Sequence, residues 1–101
     1  MKKIIENKMY NTESAECVGS DSYSNQRDFH HWTEELYKKK NGEFFLYGEG
    51  GPLSKYSKQV GLNSWSDGWD IIPMDEDEAR RWAEIHIDAD DYIEIFGEPE
   101  E

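Results

Sequence analysis

A chain of 101 residues is the size of one domain and can bury roughly 60–70% of the surface that its unfolded form exposes; four Trp, six Tyr and four Phe supply large side chains to a core otherwise short of apolar residues. A net charge of −12 disfavours direct binding to nucleic acid or anionic lipid. No apolar run reaches the length of a signal peptide or membrane span, and a single cysteine forms no internal disulfide, so the expectation is one cytoplasmic domain over residues 1–101.

In chain order, Lys3 to Ile5 and Lys8 to Tyr10 read as short extended segments around Glu6-Asn7, and Thr12 to Glu16 reads as the start of a helical turn. Gly19 to Asp28 is polar and without apolar periodicity, which predicts a loop. The strongest local signal lies at Asn41-Gly42, between the strand-like runs Glu35–Lys40 and Glu43–Gly48. Asn-Gly predicts a two-residue type I′ hairpin, with Leu36 opposite Tyr47 and Lys38 opposite Phe45. After Gly50-Gly51-Pro52, the spacing of Leu53, Tyr56, Ser57 and Val60 before Gly61 predicts a short helix, and Ile71-Ile72 a further strand ending at Pro73.

The last third predicts two short helices. Asp75 with Glu78 forms a capping-box start to the first, whose buried face is Ala79, Trp82, Ala83 and His86. The second begins near Asp88, places Ala89, Tyr92, Ile93 and Phe96 on one face and ends at Gly97. The fold class is therefore α+β, a small antiparallel sheet built on a central hairpin at about 35–48 and packed with short helices, two of them C-terminal and acidic.

Charge is the most uneven property of the chain. Residues up to Trp65 carry equal numbers of basic and acidic side chains, whereas Ser66 to Glu101 carry two Arg against fourteen Asp and Glu. Carboxylates in the first turn of a helix complement its dipole, which accounts for Asp75 to Glu78. Glu94 and Glu98 stand near a helix C-terminus, where negative charge opposes the dipole, so helix stability does not call for them. With Glu84, Asp88, Asp90 and Asp91 they form a candidate partner-binding set: a ribbon of carboxylates suited to a basic groove that normally holds nucleic acid.

Other chemistry is weakly signalled. The Gly48–Pro52 stretch lacks the phosphate-loop spacing, and Glu49 opposes an anion. The metal-ligating candidates are Cys17, His30 and His31, without the paired short spacing of a structural zinc site; a zinc-stabilised interaction domain is the alternative reading. No nucleophile elbow or cofactor fingerprint is present, so a small hydrolase or nuclease is the least supported reading and the protein is expected to be non-enzymatic.

The pieces Lys8-x-Tyr10-x-Thr12-Glu13-x-Ala15, Leu36-Tyr37-Lys38 with Gly42-x-Phe44-Phe45-Leu46-x-Gly48-x-Gly50-Gly51, and Ile72-Pro73-Met74 leading to Glu78-Ala79-x-x-Trp82 span most of the chain. Through them it resembles a family of small acidic proteins from bacterial genomes, phages and mobile elements. Asn11 stands where the pattern has Asp. The resemblance implies an anti-defence protein of the anti-CRISPR type in a bacterial host cell, with the partner a basic surface of a CRISPR effector such as Cas9 or of a restriction enzyme; it implies no catalytic residues.

Overall fold

The computed structural model describes residues 1–101. Eight strands and two helices follow one another: β1 (Lys2–Ile5), β2 (Lys8–Asn11), β3 (Glu16–Tyr23), β4 (Trp32–Lys38), β5 (Phe44–Gly50), β6 (Lys58–Gly61), β7 (Ser64–Ser66), β8 (Gly68–Met74), α1 (Glu76–His86) and α2 (Ala89–Phe96). The frame is an antiparallel sheet in the order β3-β4-β5-β8, accompanied by the separate hairpins β1-β2 and β6-β7. The α+β class is as expected, and the central hairpin is β4-β5. No helix is long and apolar enough to cross a membrane.

The hairpin register differs from the expected one by one residue. Lys38 pairs with Phe44, Tyr37 with Phe45 and Leu36 with Leu46. The cause is the turn: only Gly42 takes positive φ (92°), its N–H donates to the Lys39 carbonyl at 2.9 Å, and the Lys39 N–H donates to the Glu43 carbonyl at 2.8 Å. Lys40-Asn41-Gly42 is thus a three-residue loop with glycine in the left-handed position, the next commonest hairpin closure after the two-residue turns. Asn41 uses its side chain instead, its Oδ1 accepting from the Glu43 N–H at 3.0 Å. Two successive positive φ angles, as a type I′ turn requires, occur at Glu6 (51°) and Asn7 (65°), between β1 and β2.

That register sorts the apolar side chains onto two faces. On one face, Leu36, Phe44 and Leu46 form a core with Ala79, Trp82 and Ala83 of α1, and Tyr92, Ile95 and Phe96 of α2 pack at its border. On the other, Tyr37, Phe45, Tyr47 and Ile71 are capped by Tyr10 from β2, with Tyr37 stacked on Phe45 at 5.2 Å and Tyr10 edge-on to it at 5.5 Å. Both C-terminal helices begin as expected: Asp75 and Glu78 make a reciprocal capping box on α1, and the Asp88 side chain caps α2, which ends at Gly97.

Three local expectations are corrected. The predicted helix over Leu53–Val60 is a turn followed by β6, because the Ser54 hydroxyl donates to the Gly51 carbonyl and accepts from the Tyr56 N–H, closing a non-helical loop. The helical turn at Thr12–Glu16 is a single turn closed on the Asn11 carbonyl by Ser14 and Ala15, and Glu16 already lies in β3. The first half of the predicted loop over Gly19–Asp28, up to Tyr23, is β3, an edge strand whose largely exposed, polar side chains conceal it from any alternation pattern.

Candidate functional site

Strand alternation sends Glu34, two residues before Leu36, to the helix-facing side of the sheet, where it is 1% exposed. An ionised side chain at such a position needs partners for its lone pairs, and three arrive from distant parts of the chain. The Trp82 Nε1–H of α1 donates to Oε1 at 3.0 Å. Lys55 Nζ lies 2.7 Å from Oε2, and the Tyr56 hydroxyl donates to the same oxygen.

Glycines let the Lys55-Tyr56 segment come close enough. A Cβ at Gly48 would fall within the Tyr56 ring, one at Gly68 against the Tyr56 carbonyl, and one at Gly50 against the Ser54 side chain. The segment is tied down by hydrogen bonds of 2.9 Å from the Gly51 N–H to the His31 carbonyl and from the Leu53 N–H to the Phe29 carbonyl. The Gly48-x-Gly50-Gly51 stretch is therefore a seat for Tyr56 rather than a phosphate cradle.

His86 extends the network. Its Nδ1 sits 2.8 Å from Asp21 Oδ2 of β3 and its Nε2 3.8 Å from Glu34 Oε1, while the ring stacks on Trp82 at 4.7 Å. Lys55 also lies over the Trp32 ring at 5.4 Å. Beside this cluster opens a cleft of about 450 Å³, floored by Leu46, Ile72 and Met74.

Burial is the largest single influence on Glu34 and raises its pKa, but the hydrogen bonds from Lys55, Tyr56 and Trp82 outweigh it and hold the carboxyl below the usual range. Burial, then Glu34 itself, pushes the Tyr56 phenol well above its ordinary value. Three donors, one on Oε1 and two on Oε2, hold the carboxylate in its ionised form. The arrangement is a clamp: it fastens β4, the Ser54–Tyr56 loop and α1 to one another.

The residues singled out as metal ligands are not brought together. Cys17 pairs with Tyr37 at one end of β4, whereas His31 immediately precedes Trp32 at the other, and both His30 and His31 are engaged by Asp28. Partial burial and then the Glu35 carboxylate raise the Cys17 pKa, the opposite of what a metal-bound or nucleophilic thiolate requires. No group of three or more His, Cys, Asp or Glu side chains is arranged to hold a metal ion.

The carboxylate set is different. Glu84, Asp88, Asp90, Asp91, Glu94 and Glu98 are all exposed, and none belongs to any of the ion pairs of the molecule. The Asp88 side chain is partly used, accepting from the Asp91 N–H at 2.9 Å. Of the nearby cations, Arg80 is engaged by Glu76, the Tyr92 hydroxyl and the Phe96 ring, and Arg81 turns to the Asp77 carbonyl.

No family model, curated protein or solved structure matches this chain. Sequence reasoning missed the grouping of Glu34, Lys55, Tyr56 and Asp21; the expected strand begins at Glu35, and the available signal was that its alternation, carried two places back from Leu36, puts an acidic residue on the inward face.

Proposed function

We propose that the protein is a non-enzymatic inhibitor that engages a basic, nucleic-acid-binding surface of a host effector through its acidic C-terminal helices and thereby blocks DNA binding. The observation that carries this reading is the set of six exposed carboxylates without a single cationic partner. Charge left open in this way is available to an external cation, and its field accelerates encounter with a basic surface. Asp88, Asp90 and Asp91 have an additional use in starting α2, so Glu84, Glu94 and Glu98 bear most on recognition. The resemblance to small acidic proteins of phages and mobile elements supports an anti-defence role, with a CRISPR effector of the Cas9 type or a restriction enzyme as the partner; the charged channels of such an effector hold nucleic acid by its backbone.

The test is a mobility-shift competition between this protein and DNA for the purified effector, at low and at high salt. The expected result is loss of the shifted DNA band with increasing protein, relieved by salt. Undiminished DNA binding by both a Cas9-type effector and a restriction enzyme at low salt refutes the partner class.

A further inference from the structure

The sheet has two edges, and they are built differently. β8 carries Pro73, which has no N–H to offer a neighbour and makes that edge a poor template. β3 has neither proline nor Lys or Arg along Glu16–Tyr23, and of the devices that discourage strand addition it carries a bulge at its start and the inward-facing Asp21, held by His86. Its residues pair with β4 on one side, and none takes part in a backbone–backbone hydrogen bond outside that ladder. The Ser22 N–H is taken up only by the neighbouring Asp21 Oδ1, at 2.8 Å, a local bond that an incoming carbonyl can replace. The bulge at Val18 confines the irregular part to the start of the strand and leaves Gly19 to Tyr23 in regular register.

Beside the beginning of this edge, between β3 and α2, runs a groove of about 310 Å³ lined by Glu16, Cys17, Val18, Lys38, Glu94 and Ile95. Neither Glu16 nor Glu94 is ion-paired, and the one cation, Lys38, lies over the Phe44 ring at 5.6 Å. Val18 and Ile95 provide apolar surface for the stem of a long side chain, with carboxylates for its head.

We infer that β3 is a docking edge that takes an extended, lysine- or arginine-bearing segment of the partner as a fifth antiparallel strand, with a cationic side chain entering the groove between Glu16 and Glu94. This inference rests on the acidic-face reading above, since Glu94 belongs to both, and adds the backbone pairing that charge alone does not provide. A second copy of this chain is disfavoured as the occupant, because two molecules of charge −12 repel.

The experiment uses the full chain and two blocked peptides of alternating lysine and threonine, one ordinary and one N-methylated along a single edge so that its charge is kept and its strand pairing lost. The expected outcome is binding of the ordinary peptide with slowed amide exchange at Ser20 and Ser22, no such slowing with the methylated peptide, and affinity lowered about 3–10-fold by Glu16→Gln with Glu94→Gln. Equal binding of both peptides without protection of β3 overturns the docking edge while leaving the charge-based reading standing. Binding of neither peptide, while the protein still competes with DNA for the effector, also overturns it. Protection of β3 in the protein alone, together with a dimer mass by light scattering, would assign the edge to a second copy and overturn the inference. Failure of the effector competition itself refutes the acidic-face reading independently.

Discussion

Glu34 and the carboxylates of the C-terminal helices are the same chemistry in opposite circumstances. Glu34 is withdrawn from water and surrounded by a lysine, a tyrosine hydroxyl and an indole N–H, whereas Glu84, Glu94 and Glu98 stand in solvent with no cation beside them. The difference separates two uses of negative charge. A buried carboxylate is tolerated only when fully partnered, and its partners then become fixed to one another. An exposed carboxylate needs no partner, contributes little to stability and leaves its field free for another molecule.

The comparison breaks most severely if the buried member can be removed without loss. Glu34→Ala leaves the buried Tyr56 hydroxyl and Trp82 N–H without their shared acceptor, while the exposed Lys55 ammonium returns to water, and should destabilise the protein by about 2–4 kcal/mol in urea unfolding. Its pH dependence follows from the same geometry. The folded-state pKa lies below the ordinary value of 4.5, so the stabilisation is complete above about pH 4.5 and is lost as pH falls through the folded value. Stability measured down that acid range should therefore fall less steeply in Glu34→Gln than in the natural protein.

A smaller effect tests the seat rather than the charge. Gly48→Ala places a methyl group where the Tyr56 ring lies, and should cost about 1–3 kcal/mol while moving the Tyr56 hydroxyl from Glu34. A Tyr56→Phe background should make part of that cost disappear, because the hydrogen bond being disturbed is already absent. The smallest stability effect belongs to the exposed face: Glu84→Gln, Glu94→Gln and Glu98→Gln together should leave thermal unfolding within about 0.5 kcal/mol, since all three are exposed, have no ion-pair partner and lie outside the first turn of either helix.

The contrast also explains what could be read in the sequence. Elements declared by local chemistry were legible: the capping box at Asp75 and Glu78, the stop at Gly97, the apolar face Ala79-Trp82-Ala83, and a hairpin around Asn41-Gly42. Its register was not, because Asn-Gly suits two loop lengths and only the left-handed φ at Gly42 alone distinguishes them. The spacing of Leu53, Tyr56 and Val60 imitated a helix; Tyr56 is buried through its contact with Gly48, and Leu53 and Val60 are exposed. β3 was hidden because an edge strand can satisfy its backbone through β4 without burying an alternating set of side chains. The Glu34 clamp lay furthest from view: Tyr56 is 22 residues away and Trp82 is 48, so no local pattern joins them. The exposed carboxylates were legible as a charge excess from composition alone, since exposure requires no long-range information.

Exposed charge, not the folded scaffold, is proposed to carry recognition. The measurement that tests it is the salt dependence of affinity for the purified basic effector, compared between the natural protein and the Glu84→Gln, Glu94→Gln, Glu98→Gln variant. The expected result is weaker binding and a shallower salt dependence in the variant, with unfolding unchanged. Equal affinity and an equal salt dependence in two equally stable proteins would contradict it.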